Sequence, residues 1–431
     1  MGSKESLQYN RFEIYPNEGN ESVDIRAGAP RIEYRESVFT PFVQITVFVI
    51  ETGNAVDELT VLEGLKLQGT EKVLFEIEDA LGNKISLEED NDLRIGSVAN
   101  VSQSFKNISY SLNVVSKEMF DNTLLDSRVR RRLEGKISDI VPSIVQNELG
   151  SSKPVYIDVT HNSYFDFGKD VSPFNKILEL QRLSIPDGLS GKSAGYLFWE
   201  TSDGYHFKSL DKLFSTKGKV IRKYIENKKV DMVIPPGYTD KILHSRIDRT
   251  IDALGQFESG AYGTVLEVFD SVTGQYTKSD VNSPPAEGSA EISGETLPQF
   301  SEEYRDKATD RIKANRNTGG SFSATDKLER QVEKFNEEDI VVEEVLWQAK
   351  QNFRQKFNMS AEIVIPADFS LHAGDLIHCD FPEVSLKKTL RESQKDSGIY
   401  MIADLCHYGD KSQSYTGLHL VRDSFGIKQT N

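Results

Sequence analysis

Runs of β-branched and aromatic residues, broken by short polar stretches, occupy positions 12 to 115. Phe42 to Glu51, Leu59 to Leu67, Val73 to Glu78 and Val101 to Val115 are each predicted as strands, because such residues fit a pleated, half-buried surface. Asp79-Ala80-Leu81-Gly82-Asn83 separates two apolar runs with the length and composition of a hairpin loop. Ser102, Ser104, Lys106 and Ser109 leave the following strand half exposed.

The period changes at Ser116. Met119, Leu124, Leu125, Val129 and Leu133 recur at helical spacing, with Ser116 as N-cap and Gly135 as stop, and a second helix runs to about Leu149. A strand is predicted over Val155 to Thr160. A further helix opens at Ser172-Pro173, where proline loses nothing by lacking an N–H. Gly195 to Thr201, the loop Ser202-Asp203-Gly204 and Tyr205 to Phe207 read as a hairpin followed by a short helix from Ser209 to Phe214.

Tyr262 to Tyr276 reads as another hairpin around Val272-Thr273-Gly274, and Asp280 to Gln299 is rich in Ser, Pro, Gly and Glu, the composition of a mobile loop. Residues 301 to 357 are charged and helix-prone. Val345, Leu346, Ala349, Phe353 and Phe357 form an apolar face for packing on the last domain. Strands over Ser360 to Ile365, Asp375 to Asp380, Gly398 to His407 and Tyr415 to Val421 suggest a second small barrel.

The fold class expected is α+β and β-rich: two small β-barrels, an inserted α/β domain and a helical linker region. The expected divisions are an N-terminal barrel over 8–116, an α/β insert over 117–250 and a hairpin of the second barrel over 251–280. A loop and helical region over 281–340, and a helix plus C-terminal barrel over 341–431, complete the chain.

Length and composition agree with several modest domains. The chain has 431 residues, 38% of them hydrophobic and 27% charged. The longest apolar run, Phe42 to Ile50, is about half of the roughly 20 residues a spanning helix needs, and Gln44 and Thr46 interrupt it. No secretory signal follows Lys4, so synthesis and folding are expected in the cytoplasm. Two cysteines, Cys379 and Cys406, make no disulfide framework. With 51 Lys and Arg against 67 Asp and Glu, the net charge of -16 argues against tight nucleic-acid binding.

Candidate chemistry is thin. Gly188-Leu189-Ser190-Gly191-Lys192-Ser193 would be a phosphate loop only with glycine at 186, where Pro186 stands, and it lacks the spacing of a nucleophile elbow. His372, His378, Cys379, Cys406, His407 and His419 have no paired metal-ligand spacing, and on a strand His378 and Cys379 face opposite sides. Arg128, Arg130, Arg131 and Arg132 form a basic ridge, read as solvated or subunit-facing. No catalytic residue, cofactor or metal is expected.

Two segments carry a resemblance. Tyr196-Leu197-Phe198-Trp199-Glu200-Thr201-Ser202-Asp203-Gly204-Tyr205-His206-Phe207-Lys208-Ser209-Leu210-Asp211 resembles a segment of the baseplate hub proteins of T-even-like contractile phages. Asn358 to Pro366, Leu371 to Ile377, Gly398 to Leu405 and Tyr415 to Gly426 are similar to the barrel of those hubs and of the hub part of type VI secretion spikes. The residues carrying the resemblance are Gly195, Tyr196, Trp199, Asp203, Gly204, Phe207, Asp211, Gly374, Asp375, Arg422 and Asp423.

The resemblance implies a non-enzymatic baseplate hub with two tail-tube-like barrels per subunit. It implies a homotrimer whose six barrels form a pseudo-sixfold ring, joining a hexameric tail tube to a trimeric central spike and touching neighbouring wedge proteins. DNA would pass through the lumen without tight binding, and the protein would reside in the virion's tail baseplate, with no membrane contact. Two alternatives stay open: a hub with cell-wall hydrolase activity in the insert, and the spike base of another contractile injection system.

Overall fold

A computed structural model describes residues 7–426 except 20, 54–55, 57, 89–92, 188–193, 216–219, 227–239, 249–253, 255–262, 271–273, 283–291, 294–300, 306, 308–309, 317–341, 384–391 and 411. The protein is β-rich, and among the described residues its strands are gathered into one large sheet and three small ones.

The first half of the large sheet is drawn from residues 8–116. Arg31–Ser37 pairs antiparallel with Gln44–Glu51, which pairs with Ile108–Ser116, which pairs with Leu93–Gln103. Lys72–Glu78 pairs with Gln8–Tyr15 and, through the expected loop, with Lys84–Leu87; in that loop Asp79 accepts from the N–H groups of Leu81 and Asn83. The run expected as one strand over Val101 to Val115 is instead a hairpin. It turns at Ser104, whose hydroxyl accepts from the Asn107 N–H at 3.2 Å. Leu59 to Leu67 is not a strand either. Thr60 caps the short helix Val61–Gly64 by accepting from the Glu63 N–H, and Glu51 accepts from the Val61 N–H.

The second half draws on distant segments. Leu376–Asp380 lies between Val220–Glu226 and Gly398–Asp410, and Met359–Pro366 lies between His244–Asp248 and Ser414–Arg422. Gly398–Asp410 bends at an irregularity between Ile402 and Asp404, and its far end pairs with Arg31–Ser37. That pairing fuses the two expected barrels into one sheet over a shared core, in which Phe12, Tyr34 and Tyr110 belong to the same cluster as Ile363, Tyr400 and Leu420.

Two boundaries differ from expectation. Val220–Glu226 and His244–Asp248, expected in the insert, belong to the large sheet. The hairpin expected in the second barrel, Gly263–Asp270 with Tyr276–Asn282, instead forms its own sheet with Asp310–Arg316. The reason is edge satisfaction: the position beside Met359–Pro366 is taken by His244–Asp248, while Asp310–Arg316 pairs in parallel along Gly263–Asp270. The expected hairpin turn at 272–273 and most of the expected loop at 280–299 lie outside the described residues.

In the insert, helices Ile137–Asn147 and Pro173–Leu183 share a buried cluster with the sheet of Val155–Ile157, Gly204–Ser209 and Tyr196–Thr201. The helix expected to run from Ser116 to Gly135 stops at Asp121, and Arg132–Lys136 pairs as a strand with Ser163–Phe167. Val129 and Leu133 are fully buried by this extended path, which a surface helix would have turned past the core. The helix Val342–Lys356 inserts between the regions. Val345 and Ala349 pack with Ala194, while Phe353 and Phe357 meet Phe39, and Phe357 also meets Phe214. No described helix is long and apolar enough to cross a membrane.

Candidate functional site

The three regions meet at Glu36. The inward positions of Arg31–Ser37 are Ile32, Tyr34 and Glu36, so strand periodicity drives a carboxylate into the interior beside two apolar neighbours. Glu36 accepts from the Tyr34 hydroxyl at 2.7 Å, the Ser202 N–H of the insert at 3.1 Å and the Ala373 N–H of the second half at 3.0 Å. His372 Nδ1 lies 3.1 Å from the same carboxylate. One side chain therefore ties the first half to both other regions.

Burial works against a charge on His372, but the Glu36 carboxylate, with Asp203 and Asp375, lifts it to about 9, so the imidazole is protonated at neutral pH. Burial likewise opposes ionisation of Glu36, yet His372 and the hydrogen bonds hold that carboxyl below its ordinary range. Asp375 is pushed up to about 6 by burial, although it accepts from the His372 N–H at 2.9 Å.

The residues carrying the sequence resemblance fall in two places. Trp199 Nε1–H donates to the Ala373 carbonyl at 3.0 Å, and its ring stacks on His206. Gly374 has φ +95° and sits against that ring; a Cβ there would lie 2.6 Å from a Trp199 ring carbon. Asp203, in the hairpin turn, lies 3.7 Å from His372 Nε2, and Gly204 has φ +133° against the Pro154 carbonyl. A cleft of about 330 Å³ opens here between Trp199, Asp203, His206, Lys208, His372 and Asp375. Gly195, Tyr196, Phe207 and Asp211 support the hairpin from behind: Tyr196 stacks on Phe207, Asp211 pairs with the buried Lys356 at 3.1 Å, and Gly195 lies against Ala349.

Arg422 and Asp423 are elsewhere, in a knot at the end of the chain. Arg422 is fully buried and donates to the carbonyls of Ser424, Asp396, Ser397 and Gly426, with its guanidinium 4.8 Å from the Tyr400 ring centroid. Asp423 accepts from the N–H groups of Ile292 and Ser293 and from the Ser293 hydroxyl.

The sequence reading missed a buried ion cluster that joins insert and first half. Lys153 Nζ lies 2.6 Å from Glu118 and 2.7 Å from Glu200. Glu200 also accepts from Ser116 Oγ at 2.5 Å and from the Val43 N–H at 2.9 Å. Burial raises Glu200, with Lys153 opposing, and burial opposes the charge on Lys153, which the two glutamates nonetheless raise. The one available signal was an acid inside the apolar run Tyr196-Leu197-Phe198-Trp199-Glu200. Both glutamates are held by one ammonium, an arrangement that locks surfaces together rather than presenting a proton donor to a cleft.

The histidines and cysteines considered as metal ligands do not converge as one set. His372 meets Glu36, His407 meets Thr416 at 2.8 Å, His419 meets Asp404 at 2.7 Å and Cys379 is buried in the core. The arginine ridge is paired within the chain, Arg130 to Asp170 at 2.7 Å and Arg131 to Glu148 at 2.6 Å.

Solved structures match this arrangement from end to end. The 43 kDa tail protein of prophage MuSo2 from Shewanella oneidensis matches with a TM-score of 0.50 at 11% identity, covering 95% of this chain and 98% of its own. A tail protein from Neisseria meningitidis MC58 matches with a TM-score of 0.51 at 9% identity, covering 97% of each chain. The fold is shared with these tail proteins. A type VI secretion component of Escherichia coli, described as similar to T4 bacteriophage tail proteins, overlaps less well, with a TM-score of 0.43 and 7% identity. No protein-family model and no curated protein matches the sequence. The tail-protein fold is thus recognised through the path of the backbone.

Proposed function

We propose that this chain is a structural baseplate hub of a contractile phage tail. The observation that carries the reading is the tail-protein fold along nearly the whole chain, with two sets of strands fused by the pairing of Gly398–Asp410 with Arg31–Ser37. In this reading three copies form a pseudo-sixfold ring, one set of strands from each half facing a hexameric tail tube, with a trimeric central spike below and wedge proteins outside. DNA passes through the lumen during genome ejection, and the net charge of -16 limits its adhesion to the wall. The protein works in the tail baseplate of the virion and is made in the host cytoplasm.

The interior charges support a mechanical role. Glu36 with His372 joins the first and second halves, and Glu200, held by Lys153, joins the insert to the first half through Val43 and Ser116. No catalysis is assigned to the insert.

Negative-stain electron microscopy of the purified protein, alone and with its spike partner, tests the hub reading. Threefold rings with a central hole are expected in at least one of the two samples; monomers in both would overturn it. Clearing of a peptidoglycan zymogram would replace the non-enzymatic reading with the hydrolase one.

A further inference from the structure

The Leu376–Asp380 strand presents different chemistry on its two faces. Cys379 points into the core, while His378 and Asp380, two positions apart, share the other face. His378 Nδ1 and Asp380 Oδ1 are 3.1 Å apart, both atoms are shielded from solvent, and neither has a hydrogen-bond partner among the described residues. This sets them apart from His372 with Glu36 and His419 with Asp404, which are hydrogen-bonded. A bridge between Pro382 and Glu392 brings a third ligand, so that donor atoms of His378, Asp380 and Glu392 all lie within 4.8 Å of one another.

We propose that His378, Asp380 and Glu392 form a binding site for a divalent transition-metal ion, with Zn²⁺ as the fitting ion. Two donors each about 2.1 Å from a tetrahedral ion sit roughly 3.4 Å apart, close to the separation of the two unbonded atoms. One imidazole nitrogen and two carboxylates form a borderline donor set, suited to Zn²⁺ rather than to Ca²⁺, which takes six or more oxygens. Lys223 Nζ holds the other oxygen of Asp380 at 2.7 Å, which leaves Oδ1 turned toward His378.

The bound ion would fasten the Glu392 segment to a strand of the second half, beside Val220–Glu226. The site stands independently of the hub reading.

The test uses the full chain, stripped with a chelator and dialysed, then titrated with Zn²⁺ by calorimetry, with Co²⁺ absorption as a second readout. One equivalent of Zn²⁺, a rise in Tm and visible Co²⁺ bands are expected. His378→Gln and Glu392→Gln should each weaken binding by at least about 100-fold, since loss of a ligand should exceed the 10–100-fold typical of outer-shell changes. His419→Gln should leave binding unchanged. Because Glu392 is exposed, its variant tests ligation without disturbing the core. Absence of binding to the wild-type chain, or equal binding by the wild type and both ligand variants, would overturn the proposal.

Discussion

The two halves of the large sheet reach similar strand content by different routes. The first is drawn from residues 8–116, where three pairs of neighbouring strands close through short turns, and charges such as Arg26 with Asp24 lie on its surface. The second is assembled from segments spread between Val220 and Arg422; its buried charges Asp368, Asp396, Arg422 and Asp423 include an arginine, whereas Glu36, Glu51, Glu71 and Asp79, buried in the first half, are all carboxylates. Turns set register where pairing is local. Where distant segments meet, directional polar contacts hold the geometry: Asp368 accepts from the Tyr224 hydroxyl at 2.9 Å and also pairs with Arg222, joining segments more than a hundred positions apart. Within the second half, Arg422, which donates to four carbonyls, should be the side chain on which stability depends most.

The largest effect is expected where the halves meet the insert. Lys153→Met leaves Glu118 and Glu200 buried without their cation and should cost about 3–5 kcal/mol in denaturant unfolding. Adding Glu200→Gln should recover part of that loss, and failure to recover any would contradict the electrostatic account. Within the second half, Arg422→Met strips donors from four buried carbonyls and should cost about 3 kcal/mol by the same measurement. Gly374→Ala drives a methyl into the Trp199 ring at a left-handed φ, for a loss of about 2 kcal/mol.

The Glu36–His372 contact sharpens the comparison through pH. The folded pKa of His372, about 9, exceeds the ordinary imidazole value, so its contribution is complete below about 6.5 and disappears as pH rises through about 9. Glu36 has the opposite sign: its lowered pKa gives stability that is lost as pH falls through the folded value, below the ordinary carboxylate range. The Tm of the wild type should fall between pH 7 and 10 more steeply than that of His372→Gln; parallel curves would remove this contact from the account. The smallest effect belongs to the first half, where Arg26→Ala breaks an exposed pair and should cost less than about 0.5 kcal/mol. A loss there equal to that of Arg422→Met would break the comparison.

Much of the local structure could be read from the chain alone. The Asp79–Asn83 loop, Pro173 at the start of its helix and the Tyr196–Ser209 hairpin rest on interactions within a few residues, and the four strands from Met359 onward show in their apolar content, so local pattern and turn chemistry suffice. The β-rich character follows from the same signals. Periodicity says which face of an element is buried but not what covers it. That is why local pattern places the Gly263–Asp270 hairpin in the second barrel although it forms a separate sheet, and why Val129 and Leu133 read as helical although an extended chain carries them into the insert core. Glu36 and His372 are 336 positions apart, and Lys153 reaches Glu118 and Glu200 across 35 and 47. No local pattern records such pairings. They exist only once the sheets have packed and the surrounding low dielectric makes each buried charge require its partner.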